Sequence, residues 1–218
     1  MSQPTSKETV TSWPHLLLRE LNVFVLLTVA FLVLSLLVDA PLRGPANPDL
    51  PENPAKAPWY FLGLQELVSY SAFMGGLFLP FFTLFGLALV PFVDRETEGV
   101  GQWLGARHDR AVMGLSLLFG VLVTVGMLAF TVRFGWLRTW VPTVPQWVIT
   151  LVNPGTILTA AYVLWSVVTY RRTGSTRASA NAMFTLFVVG FTILTVMGTL
   201  LRGPNWGFYW SPASWPAP

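Results

Sequence analysis

Cysteine is absent from this 218-residue chain, and charged residues are scarce at 11%. The absence of cysteine excludes disulfides, thiolate metal sites and covalent attachment of haem through cysteine. The charged share is about half of that in a soluble domain. The two histidines, His15 and His108, both lie outside the long apolar runs. No run of basic residues indicates a nucleic-acid partner, and the formal net charge of +3 is explained by loop lysines and arginines.

Hydrophobic residues make up 53% of the sequence and gather in five long runs. A membrane-spanning helix needs about 20 consecutive apolar residues. The runs, none of which contains Asp, Glu, Lys, Arg or His, are 21–38, 67–93, 111–132, 139–170 and 178–201. We therefore predict an all-α integral membrane protein with about five transmembrane helices. The first run is not predicted to be a cleavable signal, because no small-residue cleavage site accompanies it.

This pattern divides the chain into three regions. Residues 1–20 form an N-terminal segment, residues 21–132 hold three spans, and residues 133–218 hold two further spans and a tail rich in Trp and Pro. Within the last region, residues 133–147 have the composition of an aromatic belt at a membrane interface. The sequence Asn153-Pro154-Gly155 is expected to kink the first turns of the fourth span.

A proline-rich loop and a short interfacial helix occupy residues 41–70, after the first span. Four prolines in the eleven residues 48–58 fix φ and hold the preceding residues extended, so this loop is not helical. Pro58 is well placed in the first turn of the helix that follows. Glu66 on that helix is the only Asp, Glu, Lys, Arg or His between Lys56 and Asp94. An isolated carboxylate at a membrane indicates a functional site by default; the alternative is a carboxylate that faces interfacial water.

The positive charges of alternate loops predict the orientation, because cytoplasmic loops carry an excess of Lys and Arg. One side has eight of them, namely Lys7, Arg19, Arg95, Arg107, Arg110, Arg171, Arg172 and Arg177. The other side has five, namely Arg43, Lys56, Arg133, Arg138 and Arg202. We therefore expect a cytoplasmic N-terminus, a C-terminus on the outer side and a bacterial-type cytoplasmic (inner) membrane, with the Glu66 helix also on the outer side.

The motifs Pro45-Ala46-Asn47-Pro48 and Ala57-Pro58-Trp59-Tyr60-Phe61-Leu62 resemble the C-terminal half of cytochrome b, which in plant-type complexes is the separate subunit four. Val90-Pro91-Phe92 before an acidic residue is similar to the end of the second helix in that half. The resemblance covers residues 13 to about 132. It implies a subunit of a quinol:cytochrome c oxidoreductase of bc type, in which residues 41–70 form part of the outer quinol-oxidation site and support proton translocation.

The resemblance also implies site residues, with one departure. The family's Pro-Glu-Trp-Tyr motif places a carboxylate that accepts a proton from quinol, and here that position is Pro58, which cannot accept one. Because quinol oxidation needs a base within reach, we hypothesise that a half-buried Glu66 is the catalytic base.

The residues expected to bind quinol lie around that base. Trp59 and Tyr60 would form pocket walls with Pro58, Gly63 would leave room for a ring, and Tyr70, one helical turn from Glu66, would steady the carboxylate. The alternative for Trp59 and Tyr60 is a simple interfacial role.

An inner quinone pocket is a weaker expectation. Arg19-Glu20 resembles the Lys-Asp pair that the family places beside that pocket, although a charged pair at the start of a span is usually an interface anchor. His15 and His108 are expected to be structural or solvated. No metal ligand is predicted.

Haem and partners are expected from the resemblance. The family's b-haems use four imidazoles of the N-terminal half, and no span here contains His. We therefore expect haem b on a partner subunit with no axial ligand from this chain, and quinol or quinone at a shared site. The implied partners are a haem-b-carrying cytochrome b N-terminal subunit, a Rieske iron–sulfur protein, cytochrome c and membrane lipid. The chain would not turn over alone.

Two other interpretations stay open. The chain could be an anchor or quinone-site subunit of another electron-transfer complex without its own redox centre, and copurifying subunits would distinguish the two. A transporter or scaffold is disfavoured, because transporters usually place ionisable or discontinuous elements at mid-membrane.

Overall fold

The computed structural model describes residues 12–39, 45, 47, 49, 52–94 and 107–216, with the backbone alone at 107–109. Across these residues the regular structure is helical, apart from an isolated bridge between Arg202 and Phe208. The α-helices are α1 (Leu17–Leu37), α2 (Trp59–Tyr70), α3 (Leu79–Val93), α4 (Arg107–Phe134), α5 (Leu137–Trp140), α6 (Gln146–Leu151), α7 (Pro154–Thr173) and α8 (Thr176–Val196). The all-α prediction is confirmed, and α2 is the short helix expected after the first span.

Some expectations concern residues outside the described ranges. These are residues 1–11, residues 41–44, 46, 48, 50 and 51 of the proline-rich loop and its first motif, Lys7, Arg43 and Arg95 of the charge count, and the side chains of Arg107 and His108. The chain forms two compact units, Met1–Leu50 and Pro51–Pro218. The first unit contains α1, a helix without a buried side chain. The site residues described below, apart from Arg19, Glu20 and His15, belong to the second unit.

Four helical stretches are long and apolar enough to cross a membrane, which agrees with a multi-pass membrane protein. They are Ser12–Leu37, Met74–Val93, Arg110–Trp140 and Thr176–Leu201. The fourth apolar run, residues 139–170, is not among them, and the structure divides it between α5, α6 and α7. Asn153 caps the N-terminus of α7 by accepting a hydrogen bond from Thr156 N at 3.0 Å, and Pro154 fits the first turn. The expected kink is therefore the start of a helix.

The core of the second unit lies between α4, α7 and α8, around Leu158, Tyr162, Leu186 and Leu194. Trp165 of α7 stacks on Phe119 at 4.2 Å and donates a hydrogen bond to the Ser116 hydroxyl at 2.9 Å. Ser166 and Ser179 share a hydrogen bond of 2.8 Å between α7 and α8. Hydroxyl and indole contacts between helices are typical of packing within a membrane.

Glycines bring α2 and the turn that follows it into close packing. A Cβ on Gly63 would lie 2.8 Å from Thr195 Oγ1 of α8, and one on Gly75 would lie 2.5 Å from the Leu67 backbone. A Cβ on Gly155, at the start of α7, would lie 3.1 Å from the Leu67 side chain. Thus α2, the end of α8 and the start of α7 meet at one end of the second unit, here called the α2 end.

The opposite end is formed by the turn between α7 and α8. Gly174 closes α7 in the left-handed conformation, with φ of 68°, which costs glycine little. Asp94, directly after α3, accepts a hydrogen bond from Arg177 at 3.3 Å. This end of the helical unit therefore contains an ion pair.

Candidate functional site

Glu66 is the largest ionisable side chain fully buried in the described part of the chain, with 0% of its surface exposed. It lies on α2 and faces the end of α8. The expectation of a half-buried carboxylate is wrong. A buried charge is costly unless it is paired and hydrogen-bonded, so its partners decide what Glu66 can do.

The Glu66 carboxylate accepts four hydrogen bonds from three residues. Oε1 accepts from the Tyr70 hydroxyl at 2.8 Å and from Nη2 of Arg202. Oε2 accepts from Arg202 Nε at 2.9 Å and from the Trp206 indole nitrogen at 3.0 Å. The remaining guanidinium nitrogen, Nη1, donates to the Trp206 carbonyl at 2.8 Å. Together these four residues form what we call the Glu66 cluster.

Two donors of this cluster hold their protons more tightly than usual. Burial alone would lower the pKa of Arg202, but hydrogen bonding to Glu66 and its negative charge reverse this and raise it. Burial, together with the charge of Glu66, also raises the pKa of the Tyr70 hydroxyl. The arginine therefore stays a cation and the tyrosine stays a neutral donor.

A tight turn after α8 positions Arg202 and Trp206, two of the three residues that donate hydrogen bonds to Glu66. The Tyr209 amide donates to the Leu201 carbonyl at 2.8 Å, and Gly203 N donates to the Gly207 carbonyl at 3.0 Å. Asn205 and Trp206 at the tip both have φ of 55°, which is uncommon for a bulky residue such as tryptophan. This left-handed backbone brings both the indole and the carbonyl of Trp206 into the Glu66 cluster.

The proline-rich loop is tied to the same turn. Asn53 donates to Asn205 Oδ1 at 2.9 Å and accepts from the Asn205 amide at 2.6 Å. Lys56 donates to the Thr199 carbonyl at 2.9 Å, and burial lowers its pKa. The Gln65 amide bonds back to the loop at Ala57 N and at the Ala55 carbonyl, each at 2.8 Å. The loop, α2 and the tail are thus one hydrogen-bonded assembly.

The predicted quinol-binding residues lie in two different environments, some exposed and some buried. Trp59 and Tyr60 point outward, 68% and 52% exposed, with Pro58 exposed beside them. Gly63 lies buried against Thr195 and Phe191, so α8 occupies the space expected for a ring. Tyr70 contacts Glu66, one turn away, at the helical spacing used in the sequence argument. The proposed roles of these residues stay predictions.

The residues of the predicted inner pocket lie elsewhere. Arg19 and Glu20 are exposed neighbours on α1, in the first unit, where His15 is exposed as well. Their quinone-pocket role also stays a prediction. In the described ranges, no group of three or more His, Asp or Glu side chains could hold a metal ion.

Sequence reasoning missed Arg202 and Trp206 as partners of Glu66. A signal was present, because the predicted topology puts Arg202, directly after the last apolar run, on the same side of the membrane as Glu66. With so few charged residues in the chain, a carboxylate and an arginine on one boundary are natural partners.

The arrangement favours an anchoring role for Glu66. A carboxylate that accepts four hydrogen bonds, two of them from one guanidinium, is well satisfied. To take a proton from an external donor, it would first have to release one of these four hydrogen bonds. The outward face of α2, which carries Trp59 and Tyr60, is the part of this region open to another molecule.

Fold and site together define a helical, multi-pass membrane protein whose loop, short helix and tail are joined by a buried ion pair. Two curated proteins are similar to the chain, both named menaquinol:cytochrome c reductase cytochrome c subunit, from Bacillus subtilis (strain 168) and Geobacillus thermodenitrificans. Each is 33% identical over 97 residues, or 42% of this chain. The chain spans 38% of the length of the first and 39% of the second. No protein-family model and no solved structure matches the chain.

These relatives correct the sequence-based resemblance. The motifs at 45–48 and 57–62 were interpreted as the C-terminal half of cytochrome b, or subunit four, whereas both relatives are named cytochrome c subunits. The physical reason for the error is that such short motifs encode local structure. Prolines before an aromatic run specify an extended loop and a helix start, and neither is specific to one protein.

The cofactor prediction is corrected by the same finding. It placed haem b on a partner, no axial ligand on this chain, and quinol at a shared site, while the relatives are c-type cytochromes by name. Covalent attachment of such a haem uses a C-x-x-C-H motif. The 218 residues contain no cysteine, so they do not fit a covalently attached haem.

Proposed function

We propose that the chain is a membrane subunit of a quinol:cytochrome c oxidoreductase of bc type that uses menaquinol. The observation that carries this proposal is the 97-residue similarity to two subunits of menaquinol:cytochrome c reductases. The four apolar helices support a place within a membrane-bound complex. Activity belongs to the assembled complex, and we assign no turnover to this chain alone.

Within that complex, we propose that α2 forms part of the wall of the outer quinol-oxidation site. The exposed rings of Trp59 and Tyr60 support this, because they lie edge to face at 5.7 Å and present aromatic surface to the outside. A flat quinone ring gains about 0.5–1.5 kcal/mol from each well-placed aromatic neighbour. Pro58 sets the position of both rings, since α2 begins immediately after it.

For Glu66 we propose a positioning role in the same site. Its hydrogen bonds to Arg202 and Trp206 hold α2 against the end of α8, which fixes the direction of the outward face. The hypothesis of a catalytic base predicts instead that Glu66 exchanges protons with quinol during proton translocation. A kinetic measurement on an assembled Glu66→Gln complex separates the two, because a positioning residue changes KM while a base changes the pH dependence of kcat.

We also propose that α7 is the fifth crossing. It has 20 residues, which corresponds to about 30 Å, the thickness of a hydrocarbon core. It starts at the α2 end, where Gly155 faces Leu67, and finishes at the turn that leads directly into α8. Five crossings support opposite sides for the termini, and the arginine and lysine count supports a cytoplasmic N-terminus.

Purification of the tagged full-length chain in mild detergent from its native membranes tests the subunit assignment. We expect a Rieske iron–sulfur protein and further subunits to copurify, with cytochrome c reduction that depends on a reduced menaquinone analogue. Copurification with an electron-transfer complex that lacks a Rieske protein and quinol:cytochrome c activity would reject the assignment in favour of an anchor subunit of another complex.

Substitution of the outward aromatic residues tests the quinol-site assignment in the same preparation. We expect Trp59→Leu to raise the KM for the quinol roughly two- to tenfold, from the loss of aromatic contact, without loss of assembly. Phe85→Leu is the matched control, because Phe85 is an exposed aromatic residue of α3. Equal KM values for the two variants would exclude Trp59 from the site.

A further inference from the structure

The corner between α4 and α6, residues 130–147, combines cations with an aromatic cluster at the α2 end. The rings of Phe130, Trp136 and Trp140 lie within 6.2 Å of one another. Both indole nitrogens are engaged inside the protein, that of Trp136 with the Val152 carbonyl at 2.6 Å and that of Trp140 with the Phe134 carbonyl at 2.8 Å. Both indole N–H groups of the cluster are therefore satisfied by backbone carbonyls.

Two arginines, Arg133 and Arg138, lie in the same corner. The Arg133 guanidinium lies over the Phe134 ring at 5.6 Å, and Arg138 of α5 donates to Gln146 Oε1 at 2.6 Å. Both arginines are exposed. No Asp or Glu occurs anywhere in residues 110–218, and the ion pairs of the described residues use Arg177 and Arg202 instead. The corner therefore carries two exposed cations and contains no acidic residue of its own.

The position of this corner relative to the membrane indicates which ligand neutralises the charges of Arg133 and Arg138. Helix α4 has 28 residues, about 42 Å at 1.5 Å per residue, which exceeds a hydrocarbon core of roughly 30 Å and reaches the headgroup layer. Arg133 lies in its last turn. Exposed aromatic rings such as Trp140 and Trp147, 50% and 66% exposed, are enriched at the same level of a membrane. The ligand present there at high local concentration is the phosphate of a lipid.

We propose that Arg133 and Arg138 bind the phosphate headgroup of an anionic phospholipid at the α4–α6 corner. The guanidinium groups supply charge-assisted hydrogen bonds to phosphate oxygens. The surrounding rings contact the glycerol and upper acyl region. This site is independent of the quinol-oxidising role proposed above.

The test is a titration of the purified full-length chain in neutral detergent with phosphatidylglycerol, followed by thermal unfolding. We expect phosphatidylglycerol to raise the Tm and phosphatidylcholine to leave it unchanged. Arg133→Gln with Arg138→Gln should weaken the apparent affinity for phosphatidylglycerol roughly tenfold or more, since each interfacial cation contributes to attraction of anionic lipid.

Matched controls distinguish a specific phosphatidylglycerol site from general electrostatic attraction of anionic lipid. The double variant Arg171→Gln with Arg172→Gln removes two cations from the opposite end, and it should keep the affinity for phosphatidylglycerol. An equal loss in both double variants, or no loss in the first, overturns the proposal. An equal Tm shift with inorganic phosphate at the same concentration also overturns it, because the ligand would then be a free anion. If the first double variant is not folded, Arg138→Gln alone is titrated under the same criteria.

Discussion

The Arg202 guanidinium donates two hydrogen bonds to the Glu66 carboxylate across 136 residues of sequence. The carboxylate is fully buried, and the arginine side chain is 11% exposed. A buried pair of this kind is not by itself proof of net stabilisation, since both charges lose hydration. Its consequence is that removal of either partner leaves the other one buried and uncompensated.

Glu66→Gln is expected to lower the free energy of unfolding by about 3–5 kcal/mol, because Arg202 would keep its charge in a buried site without a counter-ion. Denaturant titration of the full chain in detergent measures this. Glu20→Gln, at an exposed position of α1, is the control and should change little. Replacement of both partners by apolar residues, Glu66→Leu with Arg202→Met, should recover much of the loss. Equal free energies of unfolding for Glu66→Gln and Glu20→Gln would contradict the importance of the buried Glu66–Arg202 pair for stability.

Gly63→Ala is expected to separate α2 from α8. The new Cβ would lie 2.8 Å from Thr195 Oγ1 and 3.0 Å from the Phe191 carbonyl, and overpacking of this kind typically costs about 1–3 kcal/mol. The matched control is Gly126→Ala on α4, where no atom lies within 4 Å and alanine favours the helix. Thermal unfolding of both variants should show a lower Tm for the first and an unchanged or higher Tm for the second.

Trp206→Phe should remove the indole donor to Glu66 Oε2, a hydrogen bond of 3.0 Å, while it keeps an aromatic ring. Hydrogen bonds to charged groups contribute about 1.5–3 kcal/mol, so we expect a loss of that order in unfolding free energy. Trp210→Phe serves as the control, because Trp210 is 81% exposed. A loss of the same size in both variants would mean that the indole of Trp206 has no special role.

The raised pKa of Tyr70 predicts that the stability of the folded chain depends on pH in the alkaline range. Burial and the Glu66 charge raise the pKa of its hydroxyl above the ordinary 10.0, so the folded chain holds this proton more tightly than the unfolded chain. The stability from this group is complete below pH 10 and falls as the pH rises above it. Denaturant titrations on both sides of pH 10 should show a steeper alkaline decline for the wild type than for Tyr70→Phe. Parallel declines would contradict the assignment.

Local features of α2 were predictable from the sequence. Pro58 has a fixed φ and suits the residue before a helix, and α2 begins at Trp59. The spacing of Glu66 and Tyr70 follows from 3.6 residues per turn and gives their hydrogen bond. By contrast, the sequence predicts only a kink at residues 153–155, because a stretch without charge does not reveal that Asn153 caps a new helix there.

The sequence by itself determined the helical, membrane-type architecture, since uncharged runs of about 20 residues have the length of a membrane-spanning helix, which satisfies its backbone groups internally in lipid. Only the tertiary structure decided the partners of Glu66. Whether Arg202 and Trp206 reach that carboxylate depends on how closely α2 approaches α8 at Gly63 and on the left-handed turn at Trp206. Neither property follows from the local residue pattern, because both depend on packing between segments far apart in the chain.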